Sequence, residues 1–224
     1  MKANLDLKEF KQLLPSQVNL LAVSKGHEIS QIKSLASQGQ IDFGESRVQE
    51  ALPKIESLKY LKDIKWHFIG NLQANKVRQV VRSFDVIHSV DSLKLAKRIS
   101  RIAVEEVKKM TVMVQVKFRE DTNKSGLLPD EIRAQWNQFL ELPNVNIVGV
   151  MTISPIALQN IQRRTLFREC KTFAAELNLK ECSMGMSGDW KEAVEEGATW
   201  IRLGSLLFGN SLRRQLSQDI KKSN

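Results

Sequence analysis

The chain has 224 residues, 42% of them hydrophobic, which is enough for one domain with a substantial core. Because it has neither an apolar run of roughly 18 residues nor an apolar signal core near its start, we expect no membrane segment and no export signal. The net charge of +9 is spread over helical stretches that also carry glutamates, which predicts solvated helix faces rather than a nucleic-acid interface.

Cysteine and histidine usage narrows the chemistry further. Cys170 and Cys182 are too few for a disulfide framework, and neither belongs to a CxxC pair, so a cytoplasmic location is expected. His27, His67 and His88 lie on different segments without metal-ligand spacing. We therefore predict no metal site.

Short apolar or β-branched runs alternate with longer amphipathic stretches along the chain. The eight predicted strands are 19–24, 41–43, 65–69, 84–88, 111–116, 145–151, 181–184 and 199–203. The helices predicted between them are 29–37, 47–58, 75–82, 93–108, 129–140, 158–177 and 190–196. A short helix over 5–14 precedes the first strand, and another over 212–221 follows the last.

This alternation predicts parallel strands joined by right-handed crossovers. Eight units in this length favour a single (β/α)8 TIM-type barrel over 1–224, with an open doubly wound sheet as the alternative. The site of such a barrel lies at the carboxyl ends of its strands, where this sequence collects small and polar residues.

The loops after the last two strands, SMGMSGDW and IRLGSLLFG, have the character of a phosphate site. Gly188 and Gly204 allow close backbone approach to an anion, and Ser187 and Ser205 add hydroxyl donors. The alternative is that all four are ordinary turn and cap residues.

Two basic residues complete the candidate constellation. Lys25 directly follows the first apolar run; we expect it to be partly desolvated at the rim, where a neutral amine attacks an aldehyde to give an imine. Arg202 lies within the last strand and only donates hydrogen bonds, so a pyridine nitrogen facing it must accept and stay unprotonated. For each residue the alternative is an ordinary surface cation.

The segments LLAVSKGHEI, FGESRVQEA, WHFIGNLQANKV and SMGMSGDWKEAVEEGATWIRLGSLLFG strongly resemble the pyridoxal-phosphate homeostasis protein family. The resemblance implies the barrel of the alanine racemase N-terminal domain, of fold type III, binding pyridoxal 5'-phosphate (PLP). It implies a Schiff base (an internal aldimine) on Lys25 and Arg202 against the ring nitrogen. The remaining implied contacts are the phosphate ligands Ser187, Gly188, Gly204 and Ser205, and the ring neighbours Met184, Met151 and Thr152.

The sequence departs from this family at two places. Ser46 stands where the family more often has asparagine, so the contact made there is lost or bridged by water. Lys117 replaces a commoner asparagine, which leaves the roles of Lys117 and Lys124 open.

The resemblance favours a non-catalytic PLP-binding protein that takes part in PLP (vitamin B6) and amino-acid homeostasis. The alternative is an alanine-racemase-like enzyme, but racemisation needs an acid–base group on each face of the substrate carbon and Tyr60 is the only tyrosine. A third possibility is a regulatory protein that binds a protein partner. We expect a monomer with PLP as its small-molecule ligand, no nucleic acid and no membrane.

Overall fold

Eight parallel strands close into a barrel in the computed structural model, which describes residues 7–121 and 125–209. The strands follow chain order around the barrel, and β1 pairs with β8 to close it. Their bounds are β1 (Asn19–Val23), β2 (Asp42–Glu45), β3 (Lys65–Phe68), β4 (Val86–Val90), β5 (Met110–Gln115), β6 (Val145–Met151), β7 (Glu181–Met186) and β8 (Trp200–Leu203). The predicted barrel is thus confirmed against the open sheet.

Helices connect successive strands and surround the barrel. They are α1 (Leu7–Gln12), α2 (Ile29–Ala36), α3 (Val48–Leu58), α4 (Val77–Ser83), α5 (Leu93–Glu105), α6 (Pro129–Leu140), α7 (Asn160–Glu176), α8 (Trp190–Glu195) and α9 (Ser205–Phe208). The predicted helix over 212–221 lies outside the described residues. The described part of the chain contains no helix long and apolar enough to cross a bilayer.

Only β6 keeps both predicted ends; the other strands are shifted by one or two residues, and for β4 and β2 the physical reason is visible. Strand β4 begins at Val86 rather than at residue 84, because the backbone N–H of Phe84 still bonds to Val80 at the end of α4. Strand β2 runs on through Gly44 to Glu45, where a buried carboxylate replaces the apolar residue that the pattern required.

The main core fills the layer between the barrel and its helices. On β1, Leu20 and Ala22 belong to the same buried hydrophobic cluster as Ile32 and Leu35 of α2, whereas Leu21 faces the barrel interior, beside Gly44. Each large apolar side chain buried in this layer stabilises the fold by about 1.5–3 kcal/mol. The helix layer leaves the strand ends free to carry the site.

Candidate functional site

The ends of β7, β8 and β1 lie side by side at one rim of the barrel. Met186 of β7 is in register with Arg202 of β8, and Leu203 of β8 is in register with Ala22 of β1. The loops that follow these strands are therefore neighbours, although Lys25 lies far from both loops in the sequence. The barrel brings the predicted amine and the predicted phosphate loops to the same rim.

Lys25 lies in the turn that follows β1. The His27 backbone N–H donates to the Ser24 carbonyl at 3.1 Å and closes this turn around Lys25 and Gly26. Lys25 is exposed, which corrects our expectation of partial desolvation. Within the described residues its ammonium group has no hydrogen-bond or ion-pair partner, so the amine is accessible from solvent.

The loop after β7 is a tight turn with an open rim. Just before it, Gly185, the penultimate residue of β7, has φ 87°, and a Cβ there would lie 2.5 Å from the Cβ of Ala193, so the end of this strand requires glycine. Asp189 closes the turn by accepting the Met186 backbone N–H at 2.6 Å. Gly188 by contrast has open space on its Cβ side, and Ser187 is half-buried.

The loop after β8 lies against the end of β1. A Cβ at Gly204 would lie 3.3 Å from the carbonyl oxygen of Val23, two residues before Lys25. Ser205, which opens α9, is exposed. Two glycines and two hydroxyls thus lie on the loops that follow the neighbouring strands β7 and β8, and we call the space at this rim the opening. Backbone and side-chain donors of this kind can bind an anion.

Arg202 is buried inside the barrel just below this opening. Its Nη1 donates to the Ser183 hydroxyl at 2.9 Å, and its Nη2 donates to the Thr152 carbonyl at 2.9 Å. Burial lowers the pKa of Arg202 to about 10, while Asp189 acts in the opposite direction. The guanidinium is therefore still a cation at neutral pH, with donors beyond the two already used.

A chain of hydrogen bonds descends from Arg202 through the barrel interior. Ser183 Oγ lies 2.9 Å from His88 Nδ1, and His88 Nε2 lies 2.9 Å from His67 Nδ1. His67 Nε2 lies 3.0 Å from Asp42 Oδ1 at the opposite end of the barrel. The ring of Trp200 packs against both imidazoles, with centroids 5.0 and 5.9 Å away.

When both imidazoles are neutral, the donor and the acceptor of each hydrogen bond between Arg202 and Asp42 are determined. A guanidinium only donates and an ionised carboxylate only accepts, so each bond must point from Arg202 towards Asp42. Burial, followed by the charges of His67 and Arg202, lowers the pKa of His88 well below its usual value and keeps it neutral. The cation at the rim is thus connected to an anion at the far end.

The predicted ring neighbours and Ser46 do not all face the barrel interior. Met151 is fully buried on the interior face of β6, while the Thr152 hydroxyl turns away to donate to the Val116 carbonyl at 3.0 Å. Ser46 is half-buried and follows the inward-facing Gly44 by two residues. Met184 lies in the hydrophobic cluster, on the opposite face of β7 from Ser183, so its side chain does not reach the opening.

Sequence reasoning missed the interior chain and a second polar cluster beside Lys25. Lys54 of α3 is buried and reaches both Glu45 and the turn after β1. A signal was present in the sequence, since charged or histidine residues interrupt the apolar strand patterns FGE, WHF and IHS. In the described ranges, no group of three or more histidine, cysteine or carboxylate residues is arranged to hold a metal ion.

Comparison with known proteins supports the resemblance read from the sequence. The family model of the alanine racemase N-terminal domain matches residues 1–212. A pyridoxal phosphate homeostasis protein of Synechocystis sp. is 47% identical over 205 residues, covering 89% of this chain and 94% of the relative. Its counterpart in Pseudomonas aeruginosa is 38% identical over 197 residues, covering 87% and 85%.

Solved structures agree with the barrel. PipY of Synechococcus elongatus PCC7942 with PLP bound is 45% identical to this chain, with a TM-score of 0.88 and coverage of 91% of this chain and 98% of PipY. Alanine racemase of Clostridium difficile 630 is 16% identical with a TM-score of 0.72, and this chain covers 55% of it. The second likeness is one of fold alone.

Proposed function

The chain belongs to the pyridoxal phosphate homeostasis protein family, and we propose that it binds PLP at the rim formed by β1, β7 and β8. In this role it takes part in PLP and amino-acid homeostasis without catalysing a reaction of its own. The observation that carries the proposal is the placement of an exposed lysine, a buried arginine and two glycine-serine loops on adjacent strand ends.

The residues at the rim fit the three chemical parts of PLP. PLP would supply an aldehyde, with which a primary amine condenses to a C=N bond as the aldehyde oxygen leaves as water with both amine hydrogens. Lys25 offers an amine that is accessible and engaged by no neighbour among the described residues. Ser187, Gly188, Gly204 and Ser205 surround the opening that we assign to the phosphate.

Arg202 is the residue that we assign to the pyridine nitrogen. Its buried guanidinium has donors left after its bonds to Ser183 and Thr152. A cation that only donates holds the ring nitrogen unprotonated, which makes the ring a poorer electron sink than one paired with a carboxylate. This pairing supports holding of PLP rather than carbanion chemistry. We further expect a monomer located in the cytoplasm.

Reduction of the PLP-loaded protein with borohydride, followed by peptide mass mapping, tests the assignment. We expect the pyridoxyl group on Lys25, and we expect Lys25→Ala to lose the imine absorbance while keeping its unfolding midpoint, because the side chain is exposed. Lys94→Ala, an exposed lysine of α5, is the matched control and should retain the absorbance. Labelling of another lysine in the wild-type protein contradicts the proposal.

A further inference from the structure

A buried cluster of charged groups lies directly behind the turn that carries Lys25. Lys54 Nζ donates to the Ser24 carbonyl at 2.8 Å, to Glu45 Oε1 at 2.8 Å and to Glu50 Oε1 at 2.7 Å. These three bonds use all three donors of the ammonium group. The Lys54 side chain is only 9% exposed and that of Glu45 is fully buried, so the cluster is shielded from solvent.

The cluster holds the backbone on both sides of Lys25. On one side, the Ser24 carbonyl accepts from Lys54, and the Ser24 hydroxyl donates to Glu45 at 2.7 Å. On the other side, the Gly26 backbone N–H donates to Glu50. Residues of β1, β2 and α3 therefore meet at the two peptide groups that flank the lysine.

We propose that Lys54, together with Glu45 and Glu50, is a positioning device that aims Lys25 at the aldehyde of PLP. The inference rests on the proposed function and adds to it three residues beyond those that we assign to PLP and its phosphate. Lys25 has four rotatable side-chain bonds and no side-chain partner in the described ranges, so its reach is set by where its backbone is held.

Stability alone is a poor explanation for this cluster. A buried ion pair costs desolvation that its attraction only partly returns, so apolar residues of the same size often serve as well. Burial raises the pKa of Glu45 despite the hydrogen bonds from Lys54 and Ser24, as expected for a carboxylate that has lost its hydration. What an apolar replacement does not provide is a donor for the Ser24 carbonyl and an organised acceptor for Gly26.

The test separates covalent reaction from simple binding. Imine formation is followed by absorbance after mixing with PLP, and non-covalent binding is measured with pyridoxine 5'-phosphate, which has the same ring and phosphate but no aldehyde. For Lys54→Met we expect the rate of imine formation to fall on the order of tenfold or more, because misplacement by about 1 Å is enough for such a loss. Binding of pyridoxine 5'-phosphate should change by less than about twofold, since the phosphate loops are untouched.

Two further variants keep the test decisive. Glu50 is 25% exposed, so Glu50→Ala should fold even if Lys54→Met does not, and this variant should form the imine more slowly. Glu50→Gln keeps an acceptor for the Gly26 backbone N–H and should react nearly as fast as the wild type. Lys59→Met is the matched control, because Glu56 is the only ion-pair partner of Lys59 among the described residues and the pair is exposed at the end of α3.

The outcomes distinguish the two proposals. Wild-type rates in both Lys54→Met and Glu50→Ala, with Lys25 labelled by borohydride in the wild-type protein, overturn the positioning role and leave the proposed function intact. Equal loss of PLP and pyridoxine 5'-phosphate binding also overturns it, because a general loss of structure then explains the defect. Absence of label on Lys25 in the wild-type protein refutes the proposed function, and the positioning role with it.

Discussion

The imidazole of His88 is fully buried in the barrel, between His67 and the Ser183 hydroxyl. Desolvation is the main cause that lowers its pKa well below 6.5, and the nearby charges of His67 and Arg202 act in the same direction. The folded protein therefore resists protonation of His88, while the unfolded chain takes up this proton near pH 6.5. Stability is unaffected by this group above pH 6.5 and falls as the pH drops below that value.

The difference in the pKa of His88 between the folded and unfolded states predicts a loss of stability at low pH that this one side chain causes. Between pH 7 and pH 5 the free energy of unfolding should fall by up to about 2 kcal/mol more in the wild type than in His88→Gln, which has no proton to gain. Urea unfolding of both proteins at the two pH values measures the difference. Parallel pH dependence in the two proteins would show that His88 is protonated in the folded state.

At the scale of elements, the rim depends on loops that approach one another closely. A Cβ at Gly70, in the loop after β3, would lie 2.1 Å from the carbonyl oxygen of Ser46, in the loop after β2. A Cβ at Gly188, in the loop after β7, would meet open space. The two glycines thus offer a matched pair for separating backbone packing from ligand access.

Substitution by alanine should affect stability at one of these glycines and PLP binding at the other. Gly70→Ala should destabilise the protein by about 1–3 kcal/mol, because two loop backbones must move apart. Gly188→Ala should change stability by less than about 0.5 kcal/mol but weaken PLP binding severalfold, because the new methyl group enters the opening assigned to the phosphate. Thermal unfolding and PLP titration measure the two effects. Unaltered PLP affinity in Gly188→Ala would remove Gly188 from the site.

The elements were largely predictable from sequence because each strand and helix is a local pattern. Apolar runs of the right length gave all eight strands, and the glycine-serine loops after β7 and β8 were readable because small residues cluster there. Strand β2 was predicted too short because Glu45 resembles a loop residue. Its burial depends on Lys54, and that partner is recognisable only once α3 packs against the barrel.

The hydrogen-bonded chain inside the barrel was not predicted, because its members are also far apart in the sequence. His67 and His88 are 21 residues apart, and His88 and Ser183 are 95 residues apart, so their contacts exist only after the barrel closes. Periodicity also did not settle whether Arg202 faces inward. Its burial among Ser183 and Thr152 is decided by the register of β7 and β8, which the sequence pattern does not contain.

At the scale of the whole molecule, the two ends of the barrel carry different chemistry. Lys25 and the phosphate loops lie at the carboxyl ends of the strands, whereas Tyr60 lies between α3 and β3, at the amino end, and is 56% exposed. The only tyrosine of the chain is therefore separated from Lys25 by the length of the barrel. Asp42, at the same end as Tyr60, reaches the site only through the hydrogen-bonded chain of histidines.

This separation predicts weak exchange at the α-carbon of amino acids. Racemisation needs one group to remove a proton and a second to return it on the opposite face, and such a group typically contributes 10²- to 10⁴-fold in rate. Tyr60 lies at the far end of the barrel, and Arg202 keeps the ring nitrogen unprotonated. We therefore expect the PLP-loaded protein to exchange the α-hydrogen of L- or D-alanine in heavy water slowly. The rate should be at least about 10²-fold below that of an alanine racemase measured in parallel. Proton NMR follows the loss of the α-hydrogen signal, and Lys25→Ala loaded with PLP sets the background. Exchange that matches the racemase, and that disappears in Lys25→Ala, would assign the barrel an enzymatic role.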